Sequence, residues 1–202
     1  MKLYFSPGAC SLAPHIVLRE VGAKFSLERV DLPKHQLSSG ADYYTINPKG
    51  AVPLLELDSG ERLTEGPVIA QYIADQAGNT HLLPAAGTMP RYRVMEWQNY
   101  ITSELHKAFG PLFGAPAVDD ATKSAFAQTL QKKFGWVSEQ LKGKQHLTGD
   151  TFTVADAYLF VVAGWSKHVQ LDISHAPHLQ SFLGRVAERP AVKEAMRAEG
   201  LI

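Results

Sequence analysis

Up to about residue 80, short apolar runs of β type alternate with helical stretches; beyond it, only helical periodicity recurs. KLYF (2–5) and LERVD (27–31) flank the helical segment SLAPHIVLREVG, and a second pair of short apolar runs, PLLEL (53–57) and RLT (62–64), is joined by the turn DSGE. In EGPVIAQYIADQAG the positions Val68, Ile69, Tyr72 and Ile73 recur at helical spacing, which predicts a closing helix. The predicted order is β-α-β, a connection, then β-β-α. A β-α-β unit pairs its two strands in parallel through a right-handed crossover, and the hairpin adds antiparallel strands to the same sheet.

GNTHLLPAAGTMP (78–90) mixes turn formers without a sustained period and reads as a connector. After it, Thr88 is placed to cap a helix with Pro90 in its first turn, and RYRVMEWQNYITSELHKAF continues without a breaker. DDATKSAFAQTLQKKFGWVSEQL (119–141) predicts a second amphipathic helix. TFTVADAYLFVVAGW announces a third: Thr153 and Asp156 have capping-box spacing ahead of a run too apolar for a surface helix. Two domains follow from this reading, an α/β domain over 1–80 and an all-α domain over 88–202, with the apolar helix at the core of the second. No internal repeat or low-complexity tract is present.

Composition narrows the function classes. Lys+Arg and Asp+Glu number 20 each, so the chain lacks the basic excess that neutralises nucleic-acid phosphates or marks a membrane-surface protein. No apolar run approaches the roughly 18 residues that span a bilayer, and MKLYFSPGAC lacks a signal-peptide core, so a cytoplasmic protein is expected. The single cysteine forms no internal disulfide. Cys10 is therefore either a small buried apolar residue or a reactive thiol.

Three local features bear on that choice. Ser6-Pro7-Gly8 ends the first strand and Ser11 is placed as an N-cap, so Cys10 lies at or beside a helix N-terminus, where free N–H groups and the helix dipole favour a thiolate. In NPKGAVPLLEL, Val52-Pro53 precedes a strand; an X-Pro bond there can be cis, turning the Val52 backbone outward as a docking edge for an extended peptide, or it can be a plain trans turn. In LTEGPVIAQYIAD, Glu65-Gly66 precedes a helix with Pro67 in its first turn. The glycine admits a ligand carboxylate to the free N–H groups and Glu65 can pair with an amine, or the pair is a simple helix cap. Further on, Asn99, Ser103 and His106 are spaced i, i+4, i+7, which predicts one polar stripe along a helix, either part of a site or a solvated surface. His175 and His178 are spaced i, i+3 without an acidic or Cys partner at ligand spacing, so no metal site is expected.

A strand-turn-Cys-helix, a Val-Pro before the third strand and an acidic-Gly helix start, in that order, resemble the thioredoxin-like domain of a glutathione transferase. The helical half with TVADAYLF resembles the C-terminal domain of that family. PGACSLAPHI, NPKGAVP, LTEG, ELHK and AERPAVKEAMRAEGLI, with Cys at the first-helix turn rather than Ser or Tyr, are similar to the bacterial beta class. The resemblance covers essentially the whole chain and implies glutathione as co-substrate, without a metal. Val52 would then pair with the cysteinyl backbone of glutathione, Glu65 and Gly66 with its γ-glutamyl end, and the sulfur would lie beside Cys10. The stretch of Asn99, Ser103, Glu104, Leu105 and His106 would line the glutathione cleft, with some contacts across a homodimer interface. His106 would act as a donor to the sulfur or a base for it, with the charge of Lys107 nearby.

One position departs from the pattern. Where the class commonly has Lys for the glycyl carboxylate, this chain has His35, preceded by Lys34. A histidine of ordinary pKa, about 6.5, is mostly neutral at pH 7, so affinity is expected to rise as pH falls, unless Lys34 substitutes. The implied chemistry is attack of a glutathione thiolate on a hydrophobic electrophile, for which Phe109, Phe113 and Trp165 are candidate pocket walls or, equally, core aromatics. A thiol beside glutathione also makes a mixed disulfide available, and with it thiol transfer or reductive dehalogenation. A protein that binds glutathione or apolar ligands without turnover, and an interaction module of the same fold, are the alternatives.

Overall fold

The computed structural model describes residues 1–114 and 117–202. The chain forms two compact units, Met1–Leu83 with Glu188–Ile202, and Pro84–Ala187. The first unit contains β1 (Lys2–Phe5), α1 (Leu12–Glu20), β2 (Ser26–Asp31), β3 (Gln36–Leu37), β4 (Leu54–Glu56), β5 (Arg62–Thr64) and α2 (Gly66–Gln76). The second contains α3 (Met89–Tyr100), a single turn α4 (Lys107–Phe109), α5 (Asp120–Leu141), α6 (Val154–Gly164) and α7 (Pro177–Ala187). The last helix, α8 (Pro190–Ala198), returns to the first unit.

The sheet order is β3-β2-β1-β4-β5. β1 pairs β2 in parallel, and β4 joins β1 and β5 antiparallel, as the β-α-β and hairpin patterns predict. Alternation of side chains then divides the core between two faces. Tyr4 and Leu54, which pair across β1 and β4, share one buried cluster with Val30, Tyr43 and Val52. Leu3 and Leu55, the adjacent pair, are fully buried on the other face. The two-residue β3 on the outer edge of β2 carries no apolar run in sequence and is a strand only through pairing.

Three local expectations change. Ser11 stands at the N-cap of α1 without capping it; its hydroxyl donates to the Ser6 carbonyl and accepts from the Ser6 N–H, both at 3.2 Å, closing the turn instead. Thr88 likewise donates to Ala85 O at 2.7 Å rather than capping α3. The expected continuous helix from Arg91 is interrupted by π-type hydrogen bonding over Ile101–His106, which winds more loosely than an α-helix and shifts the stripe predicted at 3.6 residues per turn.

The capping box of α6 forms as predicted. The Asp156 carboxylate accepts from the Thr153 N–H at 2.8 Å, the Thr153 hydroxyl at 2.7 Å and the Leu147 N–H at 2.8 Å. Nine of the eleven α6 residues are buried, so it is the central helix of its unit.

The expectation of one helical domain over 88–202 meets a different partition. Residues 188–202 pack with the first unit, where Glu199 and His15 are both fully buried and paired at 2.8 Å, and Arg189 makes two bonds, 2.7 and 2.9 Å, to Glu20. These partners are distant in sequence and leave no periodic signal.

Candidate active site

The turn between β1 and α1 carries Cys10, which is partly exposed. Glu199 reaches this turn, accepting the Gly8 N–H at 2.9 Å. Helix α1 begins only at Leu12, so Cys10 precedes its first turn. The Cys10 thiol donates to the Val52 carbonyl oxygen at 3.2 Å, a contact that needs the S–H and that a thiolate could not make.

Val52 is joined to Pro53 by a cis peptide bond. The loop leading to it is fixed from below: the Tyr43 hydroxyl and the Asn47 amide both donate to Ala51 O, at 3.0 and 2.6 Å. Pro53 in turn lies against the start of α2, where a Cβ on Gly66 would come within 3.6 Å of its ring. Cys10, Val52 and Gly66 therefore converge on one proline turn.

Glu65, at the N-cap of α2, has φ 71° and ψ 107°, a conformation costing a side-chain-bearing residue about 1–3 kcal/mol and characteristic of ligand sites. Its carboxylate accepts from Lys49 at 2.8 Å; both side chains are more than half exposed, so the pair contributes little stability and exchanges readily for another cation.

His35 also has a positive φ, 50°. Its ring packs on Tyr44 with centroids 4.5 Å apart, and its Nδ1 lies 3.2 Å from Gly50 O. A carbonyl only accepts, so Nδ1 carries the hydrogen and the neutral ring keeps Nε2 as an acceptor. Gly50 is obligatory at this crossing, because a Cβ there would lie 2.6 Å from the Tyr44 ring. Lys34 pairs with Asp31 at 3.3 Å.

The second unit holds the remaining predicted residues. Asn99 and Ser103 are exposed, and the Ser103 hydroxyl donates back to Asn99 O at 3.0 Å. Glu104 pairs with Lys133 at 2.6 Å, while Leu105 is fully buried. His106 is held on two sides: its Nδ1 is 2.6 Å from the Tyr158 hydroxyl, and its ring meets the edge of Trp165 at 4.8 Å. Burial, and secondarily the Lys107 charge, push its pKa down to about 4, so the imidazole is neutral at physiological pH. With Nδ1 engaged, Nε2 is the nitrogen left for other chemistry. Phe109 is fully buried and touches Phe113 at 5.8 Å and Trp165 at 5.5 Å; of the three aromatics only Phe113 is half exposed.

Sequence reasoning missed three partners, Tyr158, Lys49 and Glu199. Tyr158 sits inside the apolar run TVADAYLF, and nothing in its spacing marks its hydroxyl as the partner of His106. Among the described residues, no group of three or more His, Cys, Asp or Glu is placed to hold a metal ion, and no helix is long and apolar enough to cross a membrane.

Residues 8–76 match the family model of the glutathione S-transferase N-terminal domain, and residues 100–190 that of the C-terminal domain. The chain is 48% identical to Glutathione S-transferase GstA of Escherichia coli O157:H7, both proteins being covered in full. It is similar to the structure of a bacterial beta class glutathione S-transferase from Sphingomonas chungbukensis, with 49% identity, a TM-score of 0.95 and both chains fully covered. It is equally similar to a sphingomonad glutathione S-transferase complexed with glutathione, at 48% identity and a TM-score of 0.94, again over both chains in full. The convergence of Cys10, the cis Val52-Pro53 turn and the Glu65-Gly66 helix start thus has its relatives throughout the chain, which belongs to the glutathione S-transferase family and, within it, to the bacterial beta class.

Proposed function

We propose that the protein transfers the glutathione thiolate to hydrophobic electrophiles, and that Cys10 serves a second, thiol-exchange chemistry. The observation that carries this reading is the contact of the Cys10 thiol with the Val52 carbonyl oxygen beside the cis Pro53 and Gly66. That oxygen is the acceptor an extended peptide uses on a strand edge. An N–H of glutathione taking it releases the Cys10 S–H toward the incoming sulfur. Glu65 exchanges Lys49 for the γ-glutamyl amine, and the first turn of α2 receives the adjacent carboxylate. The glutathione bound to the sphingomonad relative supports this ligand.

In this reading the helical unit supplies the electrophile-binding residues, with Phe113 and Trp165 as apolar walls and the neutral His106 Nε2 as the polar group among them. Conjugation forms a carbon–sulfur bond and expels the electrophile's leaving group. Thiol exchange begins with the Cys10 thiolate attacking the glutathionyl sulfur of a substrate mixed disulfide, which expels the substrate thiolate and leaves a Cys10–glutathione disulfide; a second glutathione thiolate opens that bond to return the Cys10 thiolate and yield oxidised glutathione. The protein acts as a cytoplasmic homodimer.

The test compares native protein with Cys10→Ala for conjugation of glutathione to chlorodinitrobenzene and for reduction of a mixed disulfide. Conjugation is expected in both and disulfide reduction in the native protein alone. Absence of both activities in native protein that still binds glutathione would replace this reading with that of a binding protein.

A further inference from the structure

The loop that carries Lys49 is rigidly mounted on a buried asparagine. The Asn47 side chain accepts the Lys49 N–H at 3.1 Å and donates to Ala51 O at 2.6 Å, and the Gly50 N–H donates to Asn47 O at 2.8 Å. The Lys49 backbone is thereby fixed, while its side chain is more than half exposed and free to swing. Its ammonium donates to Thr64 Oγ1 at 3.0 Å and to Glu65 Oε1 at 2.8 Å. Two other cations of this unit are engaged elsewhere: Lys34 with Asp31, and Arg62 with Glu56 and with Ile46 O, each at 3.0 Å. Among the described residues, Lys49 is thus the cation that neutralises Glu65.

This pairing changes what the Glu65 site selects. A ligand amine that takes Glu65 displaces the Lys49 ammonium, and a ligand bringing only an amine leaves that ammonium without its carboxylate. An α-amino-acid end brings an ammonium and a carboxylate on one carbon, so Lys49 exchanges one anion for another and every charge stays paired. Thr64 Oγ1 offers a pivot for the exchange. The helix start alone is a modest acceptor of that carboxylate: Pro67 has no N–H and the Ile69 N–H already bonds Glu65 O at 2.9 Å, which leaves Gly66 and Val68 as the donors of the first turn of α2. Lys49 therefore works as a competitor against plain amines and as a partner for zwitterions, the two halves of a specificity device.

We propose that Lys49 is a specificity residue, which moves from Glu65 to the α-carboxylate of the γ-glutamyl end when the ligand amine takes its place. This rests on the reading of Glu65 and the first turn of α2 as the γ-glutamyl site. The probes are S-methylglutathione and its decarboxylated analogue, 4-aminobutyryl-S-methylcysteinylglycine, whose blocked sulfurs keep Cys10 out of the measurement. Each is titrated calorimetrically into the full-length native protein, Lys49→Met and Lys49→Arg. Native protein is expected to prefer S-methylglutathione. In Lys49→Met that preference is expected to fall about fivefold, the scale of one exposed charge pair, with the analogue bound more tightly than by native protein because its competitor is gone. General damage to the site would weaken both ligands instead. Lys49→Arg keeps the charge and is expected to keep the native preference. An equal change for both ligands in Lys49→Met, no change for either, or no preference in native protein would overturn the proposal and leave glutathione as the ligand. Native protein that binds neither probe would overturn the γ-glutamyl reading and the proposal with it.

Discussion

At the scale of single residues, His35 stands where the family resemblance leads one to expect Lys. Its Nδ1 hydrogen is committed to Gly50 O, so in the neutral ring the free Nε2 presents a lone pair, which repels a carboxylate. Only protonation makes Nε2 a donor. His35→Lys places a permanent cation there and is expected to tighten glutathione binding about fivefold at pH 8, the scale of a partly exposed charge pair. Equal affinities of both proteins would remove His35 from the proposed site. Cys10, Val52, Glu65 and Gly66 were legible because each announces itself within a few residues of sequence: a turn before a helix, a proline before a strand, a glycine after an acid. The His106–Tyr158 bond was not, since it joins positions 52 apart and depends on a hydroxyl within an otherwise apolar helix.

At the scale of elements, the capping box of α6 was readable from four residues, but its load was not. Asp156 is fully buried and holds the Leu147 N–H besides the cap, and its pKa is raised to about 6 by burial against the lowering effect of those hydrogen bonds. A carboxyl whose folded pKa lies above its unfolded value retains its proton in the folded state between the two, so its contribution weakens as pH rises through about 6. Thr153→Ala removes one of the lowering bonds and moves that pKa further up. Thermal unfolding is therefore expected to show a loss of about 1–2 kcal/mol that is larger at pH 7 than at pH 5. A loss independent of pH would mean that the threonine acts on the backbone alone. The π turn over Ile101–His106 was illegible for a different reason: ITSELH has no glycine or proline to mark a change of winding, so the spacing read as one unbroken helix.

At the scale of the whole molecule, strand order and the α/β-then-α sequence of elements were legible from periodicity, whereas the return of the last segment to the sheet unit was not. The Gly8–Glu199 bond spans 191 positions. Glu199 accepts the Gly8 N–H with one oxygen and the His15 Nδ1–H with the other, while the His15 Nε2 accepts from Arg19 at 3.4 Å. Glu199→Ala removes the acceptor of the buried His15 Nδ1–H and of the Gly8 N–H and is expected to cost about 3 kcal/mol, read as a lowered urea midpoint at unchanged m-value. A shift of under about 0.5 kcal/mol would show that water replaces the carboxylate.

The same return has a consequence for how the protein is made. Because α8 covers His15 in α1, the sheet unit is split in sequence by the whole helical unit. A ribosome adding about 5–20 residues per second delivers the first 83 residues, and then the next 104, before the covering helix exists. Until then the face of α1 that receives α8 stands open, and the turn bearing the only cysteine lacks its carboxylate anchor. The nascent chain thus has an interval of several seconds in which its one thiol is present and its fold is still unlatched.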